Sequence, residues 1–414
     1  MTSPWVWIDA TELAAGRQLW GMSLVERQVR EMALRACSRF RLLVTAETRA
    51  AVEVMRDDLD RLYEVELEIV EIAAANEVFE HLAQAGEDVV LLAGDSVYDD
   101  RVLAYILDAG AGAASWARER GAFYFSSAQC AALQKQQVQS WQELLAADAL
   151  GFRGKEVGEL NAYVASLRLT MPAYIYRLGA DEDLRHIDHL MYRRTFKGAI
   201  DAVARYGYYH LVRWITRHLA RGASTPNLYT LLSVFCVWLA SPLIAVGHVG
   251  AGLSIAWAGV ILDSVDGKLA RLRLHLSDEM GAFEHIAAMP GLALWFVAMG
   301  WHLSVGQLSV LHPLSLVTWF LLAIFLLDKV ASGLFKKVVG RELFDYRRID
   351  ALFHLVAARR NIALLLLSLG ALLGYLEQSF YVLVLWMAAT LFFHLLRFFW
   401  VLVSLRFFRA SANS

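Results

Sequence analysis

Signals for several common protein classes are missing from this chain of 414 residues. Its three cysteines, Cys37, Cys130 and Cys236, are too scattered for a metal-binding spacing or a disulfide framework. The formal net charge is −2 and no basic–aromatic patch accompanies it, so nothing points to nucleic acid as a partner. Met1 to Arg17 lacks the basic-then-apolar layout of a signal peptide, and the first domain is expected to stay in the cytoplasm. Charge itself is scarce: 19% of residues are charged against 57% hydrophobic, with a mean hydropathy of +0.42. That is too apolar for an ordinary soluble protein of this size.

The apolarity is uneven. Residues 1–190 carry ordinary charge and short periodic segments, whereas 225–405 carry long apolar runs. Three parts follow: an α/β domain over 1–190, an amphipathic juxtamembrane helix within 191–222, and an all-α membrane domain over 223–414. About 20 apolar residues cross a hydrocarbon core of about 30 Å. Six spans are expected near 226–247, 251–271, 281–304, 311–334, 361–376 and 380–404, the fifth of them short. Loops near 247–251, 303–311 and 375–380 contain no Lys or Arg, while the opposite side is rich in both. Cationic loops stay inside, so both termini are expected in the cytoplasm of an inner-membrane protein.

In the first part, strands are expected at Arg39–Ala46, Val65–Ile72, Asp88–Ala93 and Ala122–Ser126. Helices are expected at Leu24–Ala36, Arg49–Tyr63, Asn76–Ala85 and Asp100–Asp108. Such alternation predicts a Rossmann-like, doubly wound parallel sheet. Gly94-Asp95 then lies at the carboxyl end of a strand, where these folds bind ligands. In 196–221, Ile200, Ala204, Tyr208, Leu211, Ile215 and Leu219 recur on one face, and Arg205, Arg213, Arg217 and Arg221 fall on another. This predicts an amphipathic helix on the inner membrane surface, with Gly207 as a weak point.

The segment Asp263-Ser-Val-Asp266-Gly267-Lys-Leu-Ala270-Arg271 ends a strongly apolar run. Charges at membrane depth cost about 2.5–3.5 kcal/mol on insertion scales and usually line a polar cavity. Asp263 and Asp266, three apart on a helix, share a face. Two hard carboxylates suit a divalent cation, which in turn carries phosphates. Gly267 lets a ligand approach the backbone.

This pattern, followed by Gly281, resembles the CDP-alcohol phosphotransferase signature. Thr225-Pro226-Asn227, Phe344-Asp345-x-Arg347 and Ala358-Arg359-Arg360-Asn361 add matches. The last two resemble a subgroup with an N-terminal nucleotidyltransferase-like domain. Consistent with that, Leu13-Ala-Ala-Gly16-Arg17, Gly21 to Gln28 and Leu91 to Asp99 resemble a sugar-phosphate nucleotidyltransferase. Gly16, however, is followed by Arg-Gln-Leu-Trp instead of the phosphate-cradling Gly-Thr-Arg. A retained scaffold that docks, regulates or binds ligand is expected there rather than nucleotidyl transfer.

The membrane-domain resemblance implies six helices, a homodimer and a Mg²⁺- or Mn²⁺-dependent enzyme facing the cytoplasm. It implies transfer of a phospho-alcohol from a CDP-alcohol to an acceptor hydroxyl, with release of CMP, in phospholipid or polar-lipid synthesis. Asp263 and Asp266 would hold metal, Gly267 and Ala270 would make room for the nucleotide, and Arg271 would contact phosphate. The family continues Gly-x3-Asp-x3-Asp, and here the third helix departs from it. Strict spacing puts His285 and Met289 at the two acid positions. A shift of one puts Glu284 and Ala288 there, with Glu284 as a third oxygen ligand. The fourth acid is absent on either alignment, and His285 is the candidate base in its place. Lys197, Arg359 and Arg360 suit a phosphate or a lipid head group, and serve equally as positive-inside residues. Asn227 is either a helix cap or a nucleotide contact. The rival expectation is a catalytically impaired homologue acting as a nucleotide- or lipid-binding scaffold. A transporter lacks any inverted repeat to support it.

Overall fold

The computed structural model describes residues 3–56, 59, 64–164, 169–179, 181–196, 199–222, 224–309 and 312–412. They divide into two compact units. One is Met1–Thr195 with Ala220–Gly222 and Leu272–Leu274; the other is Phe196–Leu219, Ala223–Arg271 and His275–Ser414.

The main sheet of the first unit has seven strands: β1 (Trp5–Ala10), β2 (Arg39–Val44), β3 (Glu66–Glu71), β4 (Val89–Ala93), β5 (Ala113–Ala117), β6 (Arg120–Phe125) and β7 (Arg153–Glu156). Their order across the sheet is β7-β5-β6-β4-β1-β2-β3. β1 lies parallel to both β2 and β4, with Trp5 opposite Arg39 on one side and Val89 on the other. Side chains alternate between the faces. Val6, Ile8 and Ala10 pack on one side with Val25 and Val29 of α1 (Leu24–Ala33) and Leu103 of α4 (Asp100–Ala109). Trp5 and Trp7 pack on the other with Phe79 of α3 (Glu77–Ala83) and Leu133 of α5 (Ser127–Gln136). Between them in sequence lies α2 (Ala46–Glu53). Local capping fits this layout: Ser23 accepts from the Glu26 N–H at 3.1 Å, and Asp99 from the Arg101 N–H at 3.0 Å.

The α/β expectation holds, with helices on both faces, but the sheet is mixed. β6 runs antiparallel to β4 and β5. A tight turn through Arg118 (φ 53°) joins β5 to β6, and so short a connection can only make an antiparallel pair. The central strand β1 was not among the expected strands, although all six of its residues are buried.

The second unit begins with a π-helical turn, Val203–Gly207, and α8 (Tyr209–Ala220), following α6 (Trp141–Ala146) and α7 (Asp181–Arg193) of the first. Then come α9 (Pro226–Ala245), α10 (Val249–Leu272), α11 (Asp278–Leu303), α12 (Pro313–Val339), α13 (Arg348–His354), α14 (Arg360–Leu373) and α15 (Leu376–Ala412). Proline opens both α9 and α12, where its missing N–H costs nothing. Among the described residues, five helices are long and apolar enough to cross a membrane: α9, α10, α11, α12 and α15. Six had been expected; α14 has 14 residues and ends at Gly374 in the left-handed region, φ 77°. At 1.5 Å per residue it reaches only about 21 Å. Large apolar side chains such as Phe235, Phe392 and Phe399 point outward, over 60% exposed, as a lipid-facing surface requires. Between helices, small residues allow close approach. A Cβ on Gly300 would lie 2.0 Å from Thr318 Oγ1, and one on Gly370 2.1 Å from Ser379 Oγ.

The expected stripe holds in part: Tyr208 is buried and Ala204, Ile215 and Leu219 pack against the core, but Leu211 is 45% exposed, and Val212, Thr216 and Ala220 are buried as well. The π-turn at Gly207 rotates the register, so the apolar stripe does not run straight through the segment. Lys197 lies outside the described residues.

Candidate active site at one end of helix α10

Asp263, Asp266, Gly267, Ala270 and Arg271 all fall on α10. Their offsets of three, four, seven and eight residues from Asp263 place them along one stripe of the helix. The helix ends two residues after Ala270, where Leu274 turns to positive φ (53°) and the His275 N–H reaches Ala270 O at 2.9 Å.

Asp266 is 3% exposed. Its Oδ1 accepts from the Gly267 N–H, and its Oδ2 is buried with no donor. Arg271 folds back over Gly267, so that a Cβ there would come 3.3 Å from Arg271 Nη2. Arg271 Nε is likewise buried without an acceptor. Asp263 is taken by Arg360, the first residue of α14, whose Nη2 donates to Asp263 Oδ2 at 2.5 Å. Glu284 of α11 stands within hydrogen-bonding reach of Asp263. Of the two alignments left open by the sequence, the one naming Glu284 therefore names a residue beside Asp263. Met289, named by the other, is 45% exposed. His285 follows Glu284 on α11, and its side chain lies outside the described residues.

The donor set suits a hard divalent cation: three carboxylates, one with a buried oxygen that has no partner. The residues fit such an ion by chemistry. Among the described residues, however, no three His, Cys, Asp or Glu side chains converge as ready-made ligands. In this state Arg360 supplies the positive charge that Asp263 needs.

Arg359 precedes α14 and is exposed, with Nη1 2.5 Å from Nε2 of His354. Burial, and then the neighbouring Arg359, push the His354 imidazole down to about 3. It is therefore neutral and accepts from Arg359, which keeps its full charge. Asn227 is the second residue of α9. It does not cap the helix, because Thr225 occupies that position, without a side-chain capping bond. Trp257 and Trp295 donate to Ser368 Oγ (3.0 Å) and Val237 O (2.7 Å), as packing residues do. Trp301 and Trp319 are 42% and 40% exposed, as interface anchors are.

Two residues that the site expectations omit stand close by. Asn361 Nδ2 donates to Asp201 Oδ2 at 2.7 Å and to the Tyr208 hydroxyl at 2.9 Å. Ser264, next to Asp263, lies 3.4 Å from the same hydroxyl. Asp201 is the lone acid in the otherwise basic 196–221 segment. That is a signal that could have marked it.

The first unit has its own polar crevice, of about 240 Å³, lined by Asp9, Thr11, Arg120, Trp141 and Arg177 among others. It opens at the carboxyl ends of β1 and β4, where the strand order reverses and open sheets bind ligands. Asp95, behind the lining residues Arg120 and Arg177 that it binds, is 2% exposed. It accepts from Ser96 Oγ (2.8 Å), Arg120 Nη2 (2.7 Å) and Arg177 Nε (2.9 Å). Asp9 accepts from Trp141 Nε1 and Thr11 Oγ1, both at 2.7 Å, and burial pushes its carboxyl up. Every carboxylate oxygen of this pair thus has a donor inside the protein.

Residues 223–396 match the family described as CDP-alcohol phosphatidyltransferase. Among solved structures, the chain is similar to phosphatidylinositol phosphate synthase from Mycobacterium tuberculosis with CDP-DAG bound. Identity is 18%, over 46% of this chain and 94% of that one, with a TM-score of 0.36. It is also similar to the inositol-1-phosphate CTP transferase from T. maritima, at 13% identity over 46% of this chain and 95% of that one, TM-score 0.34. No curated protein matches the chain.

Proposed function

From a chain whose residues 223–396 match the CDP-alcohol phosphatidyltransferase family, we propose an integral-membrane phosphotransferase. It moves a phospho-alcohol group from a CDP-alcohol to an acceptor hydroxyl in the synthesis of phospholipid or another polar lipid. The observation that carries this reading is the convergence of Asp263, Glu284 and Arg360, from three different helices, on the carboxylate stripe of α10.

In the reaction, the acceptor oxygen bonds to the phosphorus that bears the alcohol. The bond from that phosphorus to the bridging oxygen breaks, and CMP leaves with the electron pair. A bound Mg²⁺ or Mn²⁺ would neutralise the diphosphate and the leaving CMP phosphate. Asp263, Asp266 and Glu284 would hold it. Gly267 and Ala270 leave the helix surface low enough for the nucleotide to lie against it. Arg271, and Arg360 once released from Asp263, present planar forks to phosphate oxygens. Arg359, next to α14, suits an anionic acceptor or lipid head group. His285 is the candidate to take the acceptor proton, and Glu284 beside it in sequence is the alternative. We place the site on the cytoplasmic side, with both termini, because Lys and Arg cluster on that face. A homodimer belongs to the same reading.

The scaffold alternative draws on one observation: Arg360 already neutralises Asp263. Binding of CDP and CMP to the purified protein, with and without Mn²⁺, separates the two when run beside CMP release from a panel of CDP-alcohols. Metal-dependent CMP release establishes the transferase. Metal-dependent binding without release establishes the scaffold, and absence of both removes the site.

A further inference from the structure

The helices that supply Asp263 and Arg360 are joined by more than that ion pair. On α14, Arg360 reaches Asp263, and the next residue, Asn361, reaches the Tyr208 hydroxyl. On α10, Ser264 follows Asp263 and approaches the same hydroxyl. Farther along, Trp257 Nε1 of α10 donates to Ser368 Oγ of α14, and the Tyr208 ring meets Trp257 edge-on at 6.3 Å. Tyr208, delivered by the π-turn, is thus a buried wedge between two helices, at the level of the carboxylate.

The hydrogen bonds have one consistent direction. The Asp201 carboxylate can only accept, so it fixes Nδ2 of Asn361 toward itself. The second proton of that amide goes to the Tyr208 oxygen. The same oxygen accepts from Ser264 Oγ at 3.4 Å. Burial pushes the Tyr208 phenol up to about 12, so the hydroxyl stays neutral at every physiological pH. Asp201 is itself anchored by the Ala204 N–H at 2.9 Å, and the Ala202 N–H donates to Leu355 O at 2.8 Å. The segment that carries the wedge is therefore anchored at its start, over residues 201–204.

We propose that Tyr208 is a positioning residue of the nucleotide site: held by Asn361 and Asp201, its hydroxyl sets the start of α14 against α10 and so keeps Arg360 at the carboxylate stripe. This rests on the transferase reading for the identity of the ligand. When a cation takes Asp263, Arg360 must let go and still face the phosphates. A salt bridge alone cannot hold it there, because that bridge is what the cation breaks. The neutral Tyr208–Asn361 link survives the exchange.

The test is a double-mutant cycle read by Mn²⁺-dependent binding of CDP to the purified full chain, with thermal unfolding alongside. Tyr208→Phe is expected to weaken CDP binding about tenfold, with the unfolding temperature within about 3 °C of wild type. The same substitution should have no further effect in an Arg360→Ala background, because the group it positions is gone. Asn361→Leu should reproduce the loss if it folds; Ser264→Ala, which cannot upset the core, should weaken binding in the same direction. Equal losses in both Arg360 backgrounds, unchanged CDP binding, or a loss that only follows a fall in unfolding temperature would each overturn the proposal. A wild-type protein that binds CDP without releasing CMP refutes the transferase reading and leaves the cycle decisive. A wild type that binds no CDP overturns both.

Discussion

Asp95 follows strand β4 in the first unit, and Asp266 lies near the end of α10 in the second. Each adjoins a glycine, and each is at most 3% exposed. Their partners differ. Asp95 accepts from two arginines and a serine. Asp266 has one oxygen with no donor, and its neighbour Asp263 has a single arginine. A carboxylate saturated by internal cations is a structural element: moving it toward a ligand leaves buried charge unpaired. A carboxylate with spare acceptor capacity is costly to bury, and a bound cation would relieve that cost.

The sharpest way to break this contrast is to remove one charge from each site. Asp263→Asn should lower CMP release by about 10³-fold, since it withdraws several kcal/mol of metal-borne charge stabilisation. A steady-state assay with a turned-over CDP-alcohol checks it, and unchanged turnover refutes the assignment. Asp95→Asn should leave turnover within about twofold and instead cost about 3 kcal/mol of stability, because Arg120 loses its buried partner. Denaturant or thermal unfolding of the first unit reads that loss. A normal unfolding curve with lost activity would reverse the roles of the two acids.

Within the second unit, Glu284→Gln should reduce turnover by about 10²-fold, as removal of a proton acceptor or oxygen ligand does. If Glu284 serves only as a metal ligand, excess Mn²⁺ should restore part of the rate. If it takes the proton, excess metal should not. His285→Ala, measured beside it, assigns the proton to one of the two.

The smallest effect expected is an opposite response of the two units to pH. Glu31 of α1 is buried with Oε2 lacking a donor, and burial pushes its carboxyl up to about 7. A raised carboxyl favours the folded state below the unfolded value of about 4.5, and that contribution fades as pH rises through 7. His354 of α13 has the opposite sign. Its imidazole is pushed down to about 3, so the unfolded chain takes up a proton first, near 6.5. Its contribution is present above that value and is lost as pH falls toward 3. Glu31→Gln should flatten the neutral-side loss in the first unit, and His354→Gln the acid-side loss in the second. Unfolding temperature against pH, followed by hydrogen exchange in each unit, checks both. An identical pH profile in variant and wild type would remove the corresponding residue from the account.

The periodicities carried a good deal of this protein. Long apolar runs marked the helices of the second unit, since a chain in a bilayer must bond its own backbone within each segment. The offsets from Asp263 to Arg271 placed one polar stripe on a helix, because 3.6 residues per turn leave no other choice. Alternating strand and helix patterns marked the α/β unit, although β1, β5 and β7 escaped, and with β5 the antiparallel pairing of β6. A buried run such as Trp5 to Ala10 shows no polar alternation to announce a strand. The stripe through Tyr208, Ile215 and Leu219 was legible too, but it took in the exposed Leu211 and missed the buried Val212 and Thr216, because the π-turn ending at Gly207 shifts the register after it.

What the chain determined by itself is local: which segments are helices, which face of α10 carries the acids, and which loops carry the cations. Tertiary structure decided which cation meets which acid. Arg360 is 97 residues from Asp263, and Arg120 and Arg177 are 25 and 82 from Asp95. Asn361 is 153 residues from the hydroxyl it holds. Helix and strand periods are short-range consequences of backbone geometry, so a sequence displays them. A salt bridge needs only a few ångströms in space and nothing in sequence, so the difference between a sealed carboxylate and an available one emerges only when the chain has folded.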